Sequence, residues 1–220
     1  MHTMNQKLLR KRGKVEFLPY KPHFKQTSIS MATKLVKPAK QGDFSNQCGF
    51  YVIGNIIFLL FPKIKKIRVF EFIWDYYIET YGDAEGFLYG IQRDRVNKIL
   101  CNVIAGLELP LTVYRPWWSK KATSKDEFLN KITDVLNSTD SAIILGYEHG
   151  VKEDTGYYSH WTIIKKITEK SLVTFDSDRG NSRISLQRCD LWNTEYSKER
   201  RYRLSSTDTF IIFKTEGGEK

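Results

Sequence analysis

The order of patterns along the chain predicts an α+β domain, a helical half followed by an antiparallel sheet. From Phe50 to about Asn137 apolar residues recur at three- and four-residue spacing, the period of helices with one buried face. From Ala142 onward the apolar segments are short, rich in Ile, Val, Thr and Phe, and separated by Gly, Asp and Asn. An apolar fraction of 41% with 14% aromatic residues in a chain of 220 is enough for one core, and argues against a chain disordered as a whole.

Residues 1–36 are polar, basic and broken by Pro22, and read as a flexible extension ahead of a domain spanning 37–215, with a polar tail at 216–220. The first helix lies in Phe50–Phe61 and is closed by Pro62; Asp43, Ser45 or Asn46 are candidates to cap its start. Its apolar run is too short for a bilayer, which needs about 20 residues, so it reads as a buried helix and no transmembrane segment is expected. Ile67–Tyr81 follows, with Val69, Phe70, Ile73, Trp74, Tyr77 and Ile78 in helical register and Gly82 as its stop. Arg93–Leu107 repeats the pattern through Val96, Ile99, Leu100, Val103 and Ile104.

Leu111–Tyr114 reads as a short strand, and Ser124–Glu127 as a capping box opening a helix to Asn137. Further strands are expected at Ala142–Tyr147, His160–Ile167, Leu172–Asp176, Arg183–Leu186 and Phe210–Phe213, the second and third forming a hairpin. The stretch Gly150–Gly156, reaching Tyr157 and Tyr158, reads as a lip over a groove.

The net charge is +10 with a pI near 9.4. The basic runs (the extension, Lys63–Arg68 and Lys198–Arg203) read first as a solvated surface and second as a meeting place for nucleic acid or an acidic partner. Cys48, Cys101 and Cys189 have no CxxC spacing, so neither a disulfide framework nor a zinc site is indicated. No metal or organic cofactor is implied. A reducing, cytoplasmic setting fits, and no signal-peptide pattern follows the basic start.

A nucleophilic thiol acts as thiolate, and a helix N-terminus or a nearby imidazolium lowers its pKa. Cys48 stands where a polar loop gives way to the apolar helix, followed by Gly49, which leaves room for a substrate backbone. Cys101 falls inside a helix and Cys189 in a loop, neither with an activating device. Among the four histidines, His2 and His23 lie in the extension and His149 in a Tyr-Glu-His-Gly loop, whereas His160 opens an apolar strand. The hairpin would bring His160 to the same sheet end as Asp176, a carboxylate placed to orient the imidazole. Asp178, one alternation further, competes for that role. Gln41 and Gln47 are the side-chain amides available to an oxyanion, beside the Cys48 N–H. Trp117, Trp118 and Trp161 are candidate groove walls, though large aromatics are more often simply packed.

The set Gln41, Cys48-Gly49, His160-Trp161 and Asp176 resembles the papain-like cysteine peptidases, in particular the bacterial double-glycine peptidases that trim bacteriocin leaders. The His-to-Asp spacing of 16 residues is similar to theirs. The resemblance implies a papain-like fold with the site between its halves, Cys48 as nucleophile, His160 as base, Asp176 as orienter and Gln41 as oxyanion donor. Gln41 lies one residue further from Cys48 than is usual in that family, which keeps Gln47 as the alternative. With no transporter segment after the motif, a stand-alone relative acting on a peptide or protein is implied. The same machinery serves acyl transfer or deamidation. A reading from another class is an inactive basic module binding nucleic acid or an acidic partner, although no zinc-finger, phosphate-loop or RNA-recognition signature is present.

Overall fold

In the first helix, α1 (Cys48–Leu60), nearly every position is apolar, and a helix apolar all round must be enclosed on all sides. Every residue of α1 except Tyr51 is buried. The computed structural model that shows this describes residues 36–41, 45–138, 140–150, 157–178, 182–192 and 201–215. Residues 1–35, the stretch 151–156 and the tail 216–220 lie outside the described residues.

The buried polar side chain of α1, Asn55, is satisfied by the incoming strand of chain. Its Oδ1 accepts from the Ala39 N–H at 2.7 Å, and its Nδ2 donates to the Ala39 carbonyl at 3.1 Å. This clamp fixes the segment that carries Gln41 beside the helix.

Around α1 pack α2 (Lys66–Tyr81) and α4 (Arg93–Gly106), with the short α3 (Glu85–Tyr89) between them. Gly82 takes the left-handed conformation, φ 62°, and its N–H closes α2 on the Ile78 carbonyl, as expected of a helix stop. Gly54 marks the crossing of α1 and α2, since a Cβ there would stand 2.9 Å from Phe70 Cζ. Gly54→Ala should gain about 1 kcal/mol of helix propensity but lose roughly 1–3 kcal/mol to overpacking. The expected net result is a Tm lowered by a few degrees, roughly 3 °C for a domain of this size. A raised Tm in a thermal scan would mean that the Phe70 ring swings aside freely.

The chain then enters the sheet through β1 (Leu111–Tyr114), and returns to it after α5 (Lys125–Ser138). The strands that follow are β2 (Ser141–Gly150), β3 (Tyr157–Ile167), β4 (Ser171–Phe175), β5 (Arg183–Ser185), β6 (Cys189–Leu191) and β7 (Tyr202–Lys214). Their spatial order is β1-β7-β2-β3-β4-β5, antiparallel throughout, with β6 added in parallel to β7. The sheet is covered on both faces. Ile144, Ile163, Phe210 and Ile212 pack toward α1, α2 and α4, while Ile143, Leu145, Ile164 and Ile211 pack toward α5 with Phe128 and Ile132. Burial on both faces explains why Ala142–Leu145 reads as a continuous apolar run rather than an alternating one. The molecule is thus mixed helix and antiparallel sheet, helices first, with α5 on the face opposite the other helices.

Several expectations are corrected. Gln47 is the N-cap of α1 and makes no capping bond, while Asn46 donates its Nδ2 to the Leu88 carbonyl at 2.5 Å and so ties α3 to the helix start; Asp43 lies outside the described residues. The α5 cap is shifted: Ser124 Oγ accepts from the Glu127 N–H at 3.1 Å, but the Glu127 carboxylate takes the Thr123 N–H and hydroxyl. The segment Tyr147–Gly150 is strand, not loop, and Cys189 opens β6. Among the described residues no helix is long and apolar enough to cross a membrane.

Candidate active site

Cys48 is the first residue of α1, at the end of the helix where unpaired N–H groups and the dipole favour an anion. It is 7% exposed. The 3-10 turn Ser45–Gln47 delivers it there, braced by the Asn46–Leu88 bond.

His160 lies on β3, 3% exposed, with Nε2 at 3.1 and 3.0 Å from the two carboxylate oxygens of Asp176. The pairing is diagonal. Phe175 registers against Ile163, which carries Asp176 toward Thr162 and two residues short of His160 on the same alternation, a reach that long side chains span. Asp176 is 1% exposed, and the Asp178 N–H donates to its Oδ1 at 2.9 Å. The carboxylate that meets the His160 ring is therefore Asp176. Asp178, with its exposed side chain, supports it through the backbone.

Burial acts to lower the pKa of His160, but it is outweighed by the hydrogen bond to Asp176, then by Cys48 and by the charges of both. The imidazole is raised to about 9. Nδ1 makes no hydrogen bond among the described residues. Cys48 is thus near enough to act on the ring without closing a bond of normal length, a looseness common in sites without substrate. The other cysteines differ. Burial pushes the Cys189 thiol up to about 12, and its Sγ donates to the Ser185 carbonyl at 3.1 Å. Cys101 is exposed on α4, at 3.8 Å from Asn97 Oδ1.

Gln41 is buried beside the pair. Its N–H donates to the Ser177 carbonyl at 3.3 Å and its Oε1 accepts from Ser177 Oγ at 2.9 Å. The residue after Asp176 thus fixes the amide with its oxygen turned to Ser177. Gln47 is half-buried, directly before Cys48.

Cys48 and His160 open into a groove of about 870 Å³ between the α3–α4 segment and the sheet. Trp161 lines it and is held by its Nε1 donating to the Ile91 carbonyl at 3.2 Å. The other proposed walls lie elsewhere. Trp117 is core, its ring 4.9 Å from Phe128. Trp118 sits behind the groove, stacked under the guanidiniums of Arg93 and Arg115. Gly49 faces Ile91, whose side chain a Cβ would overlap, so it serves packing of the helix start rather than substrate approach. His149 packs on Tyr158 and Tyr202 at 5.3 and 6.2 Å between ring centres, away from the groove lining. Sequence reasoning missed Tyr89, Arg93, Arg95, Trp192 and Asp208, all of which line the groove.

A helix-start thiol, an imidazole held protonated and a buried carboxylate behind it make an assembly able to present a thiolate to an electrophilic carbon and to return a proton. No family model matches the chain, and no curated protein matches its sequence.

Proposed function

We propose that the chain is a papain-like cysteine hydrolase that cleaves amide bonds in a peptide or protein, acting in the cytoplasm. The observation that carries the reading is Cys48 at the start of α1 beside a buried His160–Asp176 pair, opening on a groove.

In this reading the Cys48 thiolate attacks the carbonyl carbon and the carbonyl electron pair moves onto oxygen. The N–H of Cys48 and the amide of Gln41 would receive that oxyanion. Collapse expels the amine, which takes the proton held by His160. Water then attacks the thioester, giving its proton to His160 and freeing the acid and the thiolate. Asp176 keeps the ring oriented throughout and stabilises its charged form whenever it holds the proton. The order Gln41, Cys48-Gly49, His160-Trp161, Asp176 supports a double-glycine-type peptidase within this class.

A proteome-derived peptide library, incubated with wild type and with Cys48→Ala and read by mass spectrometry, tests the activity. New termini are expected with wild type alone. Equal yields from both proteins, or none from either across pH 5–8, would remove the hydrolase reading.

A further inference from the structure

Strand β7 breaks register beside the catalytic pair. Leu145 pairs with Thr209, but the next residue of β2, Gly146, pairs with Ser205, so residues 206–208 bulge from the ladder. The bulge is internally braced: Thr209 Oγ1 donates to the Ser205 carbonyl at 2.9 Å, and the Asp208 N–H to Ser205 Oγ at 3.3 Å. It lays Asp208 over Gly146, where an added Cβ would stand 2.7 Å from Asp208 Cβ and 3.3 Å from the Trp161 ring. Gly146 pairs with Trp161 and Tyr147 with His160, so Asp208 stands one register step from the base.

Among the described residues, five charged side chains other than His160 line the groove: Glu85, Arg93, Asp94, Arg95 and Asp208. Arg95 is committed to Asp83 at 3.4 Å and to the Tyr77 hydroxyl at 3.0 Å. Arg93 lies over the Trp118 ring and reaches Asp94 at 3.5 Å, with Asp208 only at 4.0 Å. Asp94 and Glu85 are mostly in solvent, their side chains 70% and 72% exposed, where an ion pair is worth little. The Asp208 side chain is 26% exposed. Burial is the main cause that raises its carboxyl pKa, outweighing the Ser205 hydrogen bond and the Arg93 charge that lower it. Asp94 and Glu148 add to the rise, so a further cation arriving from the groove would relieve an unfavourable charge.

We propose that Asp208 is the specificity-determining residue of the groove, binding the lysine or arginine side chain of a polypeptide residue next to the bond that Cys48 attacks. The assignment rests on the hydrolase reading, and its test is read at Cys48 without turnover. Cys48 is modified with a cationic methanethiosulfonate bearing a trimethylammonioethyl group, and separately with the anionic sulfonatoethyl analogue. In each case the thiolate attacks the sulfenyl sulfur, forms a mixed disulfide and releases methanesulfinate. Asp208→Asn is expected to lower the cation-to-anion rate ratio about tenfold, while Asp208→Glu retains it. Basic peptides should likewise lose about tenfold more kcat/KM in Asp208→Asn than neutral ones do. A ratio changed by less than about twofold, with Cys48 still reacting, overturns the role of Asp208 and leaves the hydrolase standing. Cys48 reacting with neither reagent faster than exposed Cys101 overturns the hydrolase reading and this assignment with it.

Discussion

Replacing His160 with alanine is expected to slow alkylation of Cys48 by iodoacetamide at pH 5 by roughly 100-fold. An unassisted thiol with a pKa of about 8.5 is ionised to only about one part in 3,000 at that pH. A thiolate paired with an imidazolium avoids that ionisation penalty, but its nucleophilicity falls with its basicity, which offsets part of the gain. The net effect is on the order of 100-fold at most, and it shrinks as pH approaches 9 and the mutant thiol ionises unaided. Peptide mapping after timed labelling gives all three cysteines in one experiment. Cys189, held protonated up to about 12 by burial, should stay unlabelled and serve as the internal reference. Cys101, exposed as a residue but with its thiol pKa raised by desolvation, reports a thiol that no imidazole activates. Equal labelling of Cys48 and Cys101 at pH 5 in wild type would show that no thiolate–imidazolium pair exists.

The parts of the site that were legible in the sequence are those where local pattern and position coincide. An apolar run marks α1 and a polar loop marks its start, so Cys48 could be placed at a helix N-terminus. Period-two strands joined by a short turn put His160 and Asp176 at one sheet end. The bulge between Ile164 and Lys166 shifts Asp176 by one residue to lie opposite Thr162, on the alternation of His160 and diagonal to it. What stayed hidden depends on contacts distant in sequence. Asp208 sits in a polar stretch, Ser-Ser-Thr-Asp-Thr, which offers no strand signal, and only pairing with β2 turns it into a bulge over the groove. Gly49 invites a role in substrate approach until Ile91, 42 positions later in the chain, is seen filling the space. Trp117 and Trp118 are adjacent in sequence, yet one enters the core under α5 and the other backs Arg93. Composition distinguishes neither fate. α3 has five residues, too few for a helical period to register.

Asp176→Ala is expected to lower stability by roughly 3–5 kcal/mol at pH 6, more than any surface substitution would, because it strands a buried cation. In the wild type the pKa of His160 rises from 6.5 to about 9 on folding, mainly through Asp176 acting against burial, with Cys48 as the lesser contributor. A group whose folded pKa is the higher one gives its full stabilisation below 6.5, where both states are protonated. It loses that stabilisation as pH climbs through about 9. The difference corresponds to about 3 kcal/mol between pH 6 and pH 9.5. Without Asp176 the burial of a 3%-exposed imidazole is opposed only by Cys48, so most of this slope should vanish. At pH 9.5 the ring is neutral in both proteins, and the variant should lie only about 1–3 kcal/mol below wild type, the loss from an unpaired buried N–H. Urea unfolding of both proteins at pH 6 and 9.5 measures the four values. A gap that stays constant between the two pH values would mean that the buried pair is neutral, with the proton not shared as the proposed chemistry requires.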